Sequence, residues 1–230
     1  MPNEVTGILV AGGSSVRMGF DKVWVDLCGR PLLAWPLLAF SECKAVNEVV
    51  LVVATDAHER ASELLVQLGV EARVVTGGPR RRDSVFAGLQ SATGEWVAVH
   101  DVARPLVSAD LILRGLEAAR ETGAAIAAVP ETNTVKQVRG DLVDSTLDRA
   151  AIWAAQTPQV FRRDLLLEAH RRSQDDATDD AALVEAMGGA VKVYEGAYAN
   201  IKVTHPLDLK VAAFLLSQRR GPPPFEGRGP

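Results

Sequence analysis

The chain has little of what several common chemistries require. It carries two cysteines, Cys28 and Cys43, and four histidines. The cysteines lack metal-ligand spacing and fit core or surface thiols in a reducing cytosol better than a disulfide framework. The histidines are scattered without zinc spacing. There is no basic excess. A formal net charge of −4 argues against a nucleic-acid polymer as the main partner, though a few local cations suffice for a small phosphorylated ligand. Long apolar runs are also missing. Pro31–Phe40 spans about half a membrane thickness and contains Pro36. The opening Met-Pro-Asn-Glu has no basic region, and the first apolar run is short and ends in glycines, unlike a secretory signal. A soluble, cytoplasmic protein with no membrane and no nucleic-acid partner is expected. Neither a Gly-x-x-x-x-Gly-Lys-Ser/Thr loop nor a complete Gly-x-Gly-x-x-Gly is present. No motif links Ser14, Ser15 or Ser84 to a histidine base.

What is present is a globular pattern, with 47% hydrophobic residues among 230. Short apolar runs alternate with helix-length amphipathic segments, which predicts an α/β fold with a mostly parallel sheet flanked by helices. Strands are expected at Val5–Val10, Glu48–Ala54, Ala72–Val75, Trp96–His100, Ala124–Val129, Ala154–Phe161, Val191–Tyr194 and Asn200–Val203. Helices are expected at Pro31–Phe40, His58–Leu68, Asp83–Ser91, Ala109–Glu121, Arg163–Ser173, Asp179–Met187 and Pro206–Ser217. Gly69 and Gly123 stop two of them. Ser108, Thr178 and Thr204 stand where helix N-caps belong. Glu131–Ala150 alternates polar and β-branched residues around Arg139-Gly140-Asp141 and reads as a β-hairpin. Neither face of it is apolar enough to pack on a core, so it is expected to project as an arm and meet a second subunit. One domain over residues 1–218 is expected, followed by a Gly/Pro-rich, disordered tail over 219–230.

The chemistry-bearing residues lie in loops. After the first strand come Ala11, Gly12 and Gly13, then Arg17 and Lys22. A strand feeding a Gly/Ser loop brings backbone N–H groups close to phosphates, and cations beside it add fixed charge. The same residues also fit an ordinary tight turn with two surface cations. Gly77-Gly78 precede Pro79-Arg80-Arg81-Arg82-Asp83-Ser84. Arg80 and Arg81 read as a solvated helix start, and the Ser84 hydroxyl sits where it can face a ligand. Asp101 follows a strand end, the place where open α/β sheets bind ligands. It suits a metal or a ribose, or caps a turn with Arg104 as its partner. The set Arg17, Lys22, Arg104, Arg149 and Lys202 around Asp101 suits stabilising charge on phosphate oxygens, with a divalent metal on the aspartate, and does not suit proton abstraction.

Read together, these loops resemble nucleotidyltransferases with a Rossmann-like sheet, and more closely the 2-C-methyl-D-erythritol 4-phosphate cytidylyltransferases. The pieces are Ala11-Gly12-Gly13…Arg17-Met18-Gly19, Lys22, Gly77-Gly78…Asp83-Ser84-Val85-Phe86-Ala87-Gly88-Leu89 and His100-Asp101-Val102-Ala103-Arg104-Pro105. They continue with Thr134-Val135-Lys136, Asp148-Arg149, Gln156-Thr157-Pro158-Gln159, Thr178-Asp179-Asp180 and Asn200-Ile201-Lys202-Val203-Thr204. The resemblance implies transfer of CMP from CTP to methylerythritol phosphate, with release of pyrophosphate, in non-mevalonate isoprenoid biosynthesis. It implies that Ala11, Gly12, Gly13, Gly78 and Ser84 line the CTP site, and that Arg17 and Lys22 hold the triphosphate. Asp101 would hold Mg2+ near the sugar phosphate, Arg104 and Thr178 would shape the acceptor site, and Lys202 would orient the attacking phosphate. It further implies a homodimer in which Thr134 and Arg149 of the arm complete the partner's site. Two departures stand out. The Met-to-Lys spacing is short, and Asp21 precedes Lys22 where the family usually has proline; this form is similar to the guanylyltransferase of molybdenum cofactor. Ribitol-phosphate cytidylyltransferases share much of the pattern, and a non-catalytic nucleotide-binding subunit is the alternative of another class.

Overall fold

In the computed structural model, residues 5–11, 22–173 and 177–219 are described. The first half alternates strand and helix. β1 (Val5–Val10), α1 (Ala34–Ser41), β2 (Val46–Val53), α2 (His58–Leu68), β3 (Arg73–Thr76), α3 (Arg81–Ser91), β4 (Trp96–Asp101) and α4 (Ala109–Thr122) follow in turn. Then come β5 (Ala124–Pro130), a hairpin of β6 (Lys136–Arg139) and β7 (Leu142–Thr146), β8 (Trp153–Arg162) and α5 (Arg163–Arg172). The described chain closes with α6 (Asp180–Ala186), β9 (Lys192–Glu195) and α7 (Pro206–Arg219). The main sheet runs β3-β2-β1-β4-β8-β5-β9. Its pairs are parallel except where β8 runs antiparallel between β4 and β5. The expected α/β class with a mostly parallel sheet is therefore found.

Both faces of the sheet are covered, which is why its central strands read as unbroken apolar runs. Successive residues of β1 and β2 point to opposite faces. Leu9, Leu51 and Val53 join α1, α2 and α4, whereas Ile8, Val10, Val50 and Val52 join α3, α5 and α6. α3 lies close on the sheet because Gly88 has no side chain; a Cβ there would stand 2.5 Å from Ile8 Cγ2. A third cluster, including Leu27, Leu32, Leu106, Val203 and Leu216, packs α7 and the 200–203 segment against the loop after β4 and the segment before α1. No described helix is long and apolar enough to cross a membrane.

Several local expectations are corrected. Helix α1 begins at Ala34, three residues after Pro31. Asp179, not Thr178, caps α6, its Oδ1 accepting from the Ala182 N–H at 3.0 Å. Asn200–Val203 is not a strand. Its backbone is bonded elsewhere, the Val203 N–H to the Ala103 carbonyl (2.7 Å) and the Asn200 N–H to the Ala197 carbonyl (2.9 Å). Arg219 ends α7 rather than opening the tail, and residues 220–230 lie outside the described residues. Ser108 caps α4 as expected, accepting from the Leu111 N–H at 3.2 Å. The hairpin forms its own two-stranded sheet, with every residue of β6 and β7 exposed. Arg139 faces Leu142 across a two-residue turn in which Gly140 has φ +60°, the left-handed backbone that such turns demand.

Candidate active site

The chain lays β2 and β3 to one side of β1 and then crosses to place β4 on the other. That reversal opens a crevice at the carboxyl ends of β1 and β4, the ligand position of open α/β sheets. Val10 and Asp101 are register partners there, and the Val102 N–H donates to the Val10 carbonyl at 3.2 Å. Ala11 continues from β1, with its N–H on the Val52 carbonyl at 2.8 Å. Gly12, Gly13 and Arg17 lie outside the described residues. Lys22 opens a short 3-10 turn just after that segment.

On the β3 side, Ser84 is fully buried in the first turn of α3. Its hydroxyl accepts from the Gly78 N–H at 3.2 Å, so it shapes the Gly78 loop. Arg80 pairs with Asp83 at 2.8 Å, half exposed, as expected of a helix start. Arg81 does not. It stands on the buried face of α3, in line with Ser84, Val85 and Gly88. Its Nε lies 2.9 Å from Asp101 Oδ1 and its Nη1 lies 2.9 Å from Asp180 Oδ2. The reading of Arg81 as solvated is therefore corrected. The signal was in the sequence: position 81 shares the helical period of 84, 85 and 88.

Asp101 is the centre of the cluster. Lys202 Nζ lies 2.6 Å from its Oδ2, and the Asp101 N–H donates to Thr157 Oγ1 at 3.1 Å. Burial pushes the Asp101 carboxyl up, but Arg81 and then Lys202 outweigh it and hold the group well below the usual carboxylate range. Burial likewise opposes the charge of Arg81, but Asp180 and Asp101 raise it further above its ordinary value. The Arg104 carbonyl can only accept, so His100 Nε2 carries the ring proton and donates to it at 3.1 Å. Nδ1 is then the acceptor, and the Thr157 hydroxyl, which accepts from the Asp101 N–H, donates to it at 3.0 Å. Burial, above all, lowers the His100 pKa to about 4. This histidine is a neutral structural group with both nitrogens occupied, not a general base.

Arg104 does not pair with Asp101. Its Nη1 donates to the Asn200 carbonyl (2.8 Å) and its Nη2 to the Ala155 carbonyl (3.2 Å). The Asn200 side chain in turn donates to the Thr157 carbonyl at 2.8 Å. These bonds, which sequence reasoning missed, fix the segment that carries Lys202. Asp101, Arg104 and Lys202 are thus brought together. Thr178 is exposed ahead of α6. Thr134 and Arg149 sit on the exposed arm, where Arg149 donates to the Thr132 carbonyl at 2.9 Å.

One carboxylate flanked by cations, with no available base among the described residues around it, is an arrangement for handling phosphate charge. Comparisons with known proteins agree. The sequence model of the family "IspD: 2-C-methyl-D-erythritol 4-phosphate cytidylyltransferase" matches residues 5–218. The 2-C-methyl-D-erythritol 4-phosphate cytidylyltransferase of Dehalococcoides mccartyi strain 195 is 43% identical over 224 residues, covering 95% of this chain and 99% of the relative. The structure of 4-diphosphocytidyl-2C-methyl-D-erythritol synthase from Anaerococcus prevotii superposes with a TM-score of 0.84 at 31% identity, covering 94% of this chain and all (100%) of the other. The cytidylyltransferase structure from Thermus thermophilus gives 0.77 at 37% identity, over 91% and 97% of the two chains. With a family match across nearly the whole described chain, this protein belongs to the 2-C-methyl-D-erythritol 4-phosphate cytidylyltransferases.

Proposed function

We infer that this chain catalyses its family's reaction, the transfer of CMP from CTP to 2-C-methyl-D-erythritol 4-phosphate, giving the CDP-alcohol and pyrophosphate. The observation that carries this reading is the Lys202–Asp101–Arg81 cluster at the mouth of the β1/β4 crevice. The acceptor is a phosphate, already ionised near neutral pH, and it needs orientation and charge compensation rather than a base. Lys202 orients the attacking oxygen. Arg17 and Lys22 hold the triphosphate and stabilise charge that grows at the α-phosphorus. Ala11, Gly12, Gly13 and Gly78 line the nucleotide, with Ser84 behind Gly78. Arg104 and Thr178 bound the acceptor side.

Among the described residues no three His, Cys, Asp or Glu side chains assemble a metal cage. A divalent ion such as Mg2+ would rest on Asp101 and on triphosphate oxygens, the mixed set magnesium accepts. The ionised, partly accessible Asp101 fits that role, and the ion when bound supplies further charge neutralisation. The exposed arm supports a homodimer in which Thr134 and Arg149 reach the partner's crevice.

Pyrophosphate release is the test. CTP, Mg2+ and methylerythritol phosphate should give sustained release, and ribitol 5-phosphate in place of the acceptor should give little. No release with any acceptor sinks the enzyme reading, and faster turnover with ribitol 5-phosphate replaces the substrate.

A further inference from the structure

Asp101 is held from two sides by unequal cations. Lys202 reaches it with one ammonium, from a side chain 40% exposed. Arg81 reaches it from a side chain 26% exposed, and its other edge is tied to Asp180, whose side chain is 1% exposed. The two contacts differ in what their loss leaves behind. A lysine drawn off Asp101 passes to solvent or to a ligand. An arginine drawn off leaves the buried Asp180 without that counter-charge and with the His170 ring 3.4 Å from its Oδ1, which is strongly unfavourable. The chemistry of the side chains matches. A planar guanidinium can span two carboxylates from two edges, whereas an ammonium is a mobile point charge on a flexible stem.

The anchor itself is fixed to the sheet. Asp180 opens α6, and its N–H donates to Gln159 Oε1 at 3.2 Å. Gln159 Nε2 donates to the capping Asp179 at 2.8 Å. Gln159 belongs to β8 and is the register partner of Val99 in β4, the strand that ends in Asp101. Arg81 therefore ties three elements, α3, β4 and α6, at one point.

We propose that Arg81 is a positioning residue for the reaction, the permanent half of a two-cation clamp on Asp101, and that Asp180 holds it in place. Lys202 is the exchangeable half. It rests on Asp101 and passes to the acceptor's phosphate, while Arg81 keeps Asp101 aimed. The exchange rests on the functional reading of Lys202 given above; the anchoring of Arg81 by Asp180 does not.

Two variants test the clamp. Asp180→Asn keeps the size of the side chain and removes the charge that anchors Arg81. Arg81→Lys keeps the charge but cannot span both carboxylates. Each should lower kcat about tenfold and raise the KM for methylerythritol phosphate about fivefold. A lower kcat with both KM values unchanged means that acceptor binding does not depend on the clamp and overturns the proposal, as does unchanged turnover. A crystal structure of Asp180→Asn decides the anchoring without any assay. The Arg81 guanidinium should have shifted from its wild-type placement on Asp101, and an unmoved guanidinium with Nε still 2.9 Å from Asp101 Oδ1 overturns the anchor. Wild-type crystals soaked in inorganic phosphate test the exchange. Lys202 should then contact phosphate with Arg81 still on Asp101; Lys202 still on Asp101 at saturating phosphate overturns it. If the wild-type protein releases no pyrophosphate, the functional reading fails while the Asp180→Asn structure still decides the place of Arg81.

Discussion

The cluster at Asp101 and the arm at residues 131–150 are built on opposite plans. At Asp101, side chains from α3, β4, β8 and the 200–203 segment meet in one network. In the arm, contacts are between neighbours in sequence, such as Lys136 with Thr146 at 2.6 Å, and Val138, Leu142 and Val143 are left in solvent. A lone two-stranded hairpin is marginal in water. The first region is finished by contacts within the chain, and we propose that a second copy finishes the other. A site assembled from both would gate activity on assembly.

Removing Lys202 should produce the largest effect. Lys202→Ala takes the ammonium from the cluster while Arg81 remains on Asp101, so the fold should hold. Loss of one such electrostatic contact should lower kcat/KM by about 10²–10³, read by pyrophosphate release beside an unchanged circular-dichroism melt. Activity within fivefold of wild type would remove Lys202 from the reaction.

The arm comes next. Arg149→Ala should cost about tenfold to a hundredfold in turnover through loss of a charge-assisted contact. The sharper measurement is complementation. Arg149→Ala subunits mixed and reassociated with Lys202→Ala subunits form heterodimers in which one of the two sites keeps both residues. About a quarter of all sites should then recover, half of the dimers being mixed. No recovery in a mixture shown to exchange subunits would confine each site to one chain.

The same contrast decides what could be read in advance. Local signals were legible. The α2 bounds, the Ser108 cap, the Gly69 and Gly123 stops and the hairpin turn each depend on a few adjacent residues. Asp101 and Lys202 were singled out by residue type and loop position, and they meet. What escaped depends on distant partners. Arg81 looked solvated because its buried counter-charge, Asp180, lies 99 residues away in the chain. Ile201 and Val203 suggested a strand, yet no described strand takes up their segment, and its carbonyl at Asn200 is spent on Arg104. Thr178 and Asp179 are both good caps, and only the trajectory of α6 chooses between them.

A pH titration probes the finished region further. His100 is buried neutral, with its pKa lowered to about 4. The unfolded chain therefore binds a proton that the folded chain refuses over the interval below pH 6.5. Stability contributed by this group is complete above pH 6.5 and declines as pH falls toward 4, by up to about 3 kcal/mol. Urea unfolding at successive pH values should show this slope, and His100→Gln should flatten it. An unchanged slope in the variant would assign the acid sensitivity to other groups.

The smallest effect is expected where the molecule is least finished. Leu142 and Val143 are 76% and 61% exposed, so Leu142→Ser and Val143→Ser together forfeit almost no burial within the chain. Under dilute conditions that keep subunits apart, the double variant should unfold within about 0.5 kcal/mol of wild type, as exposed substitutions do. At high protein concentration the two should diverge, because association stabilises the folded chain by mass action and the variant has lost apolar surface for it. Sedimentation across a concentration series gives the dissociation constant directly. A dimer equally strong in the variant would locate the interface away from the tip of the arm. An equally large loss of stability in dilute and concentrated protein would mean that the hairpin belongs to the chain's own core after all.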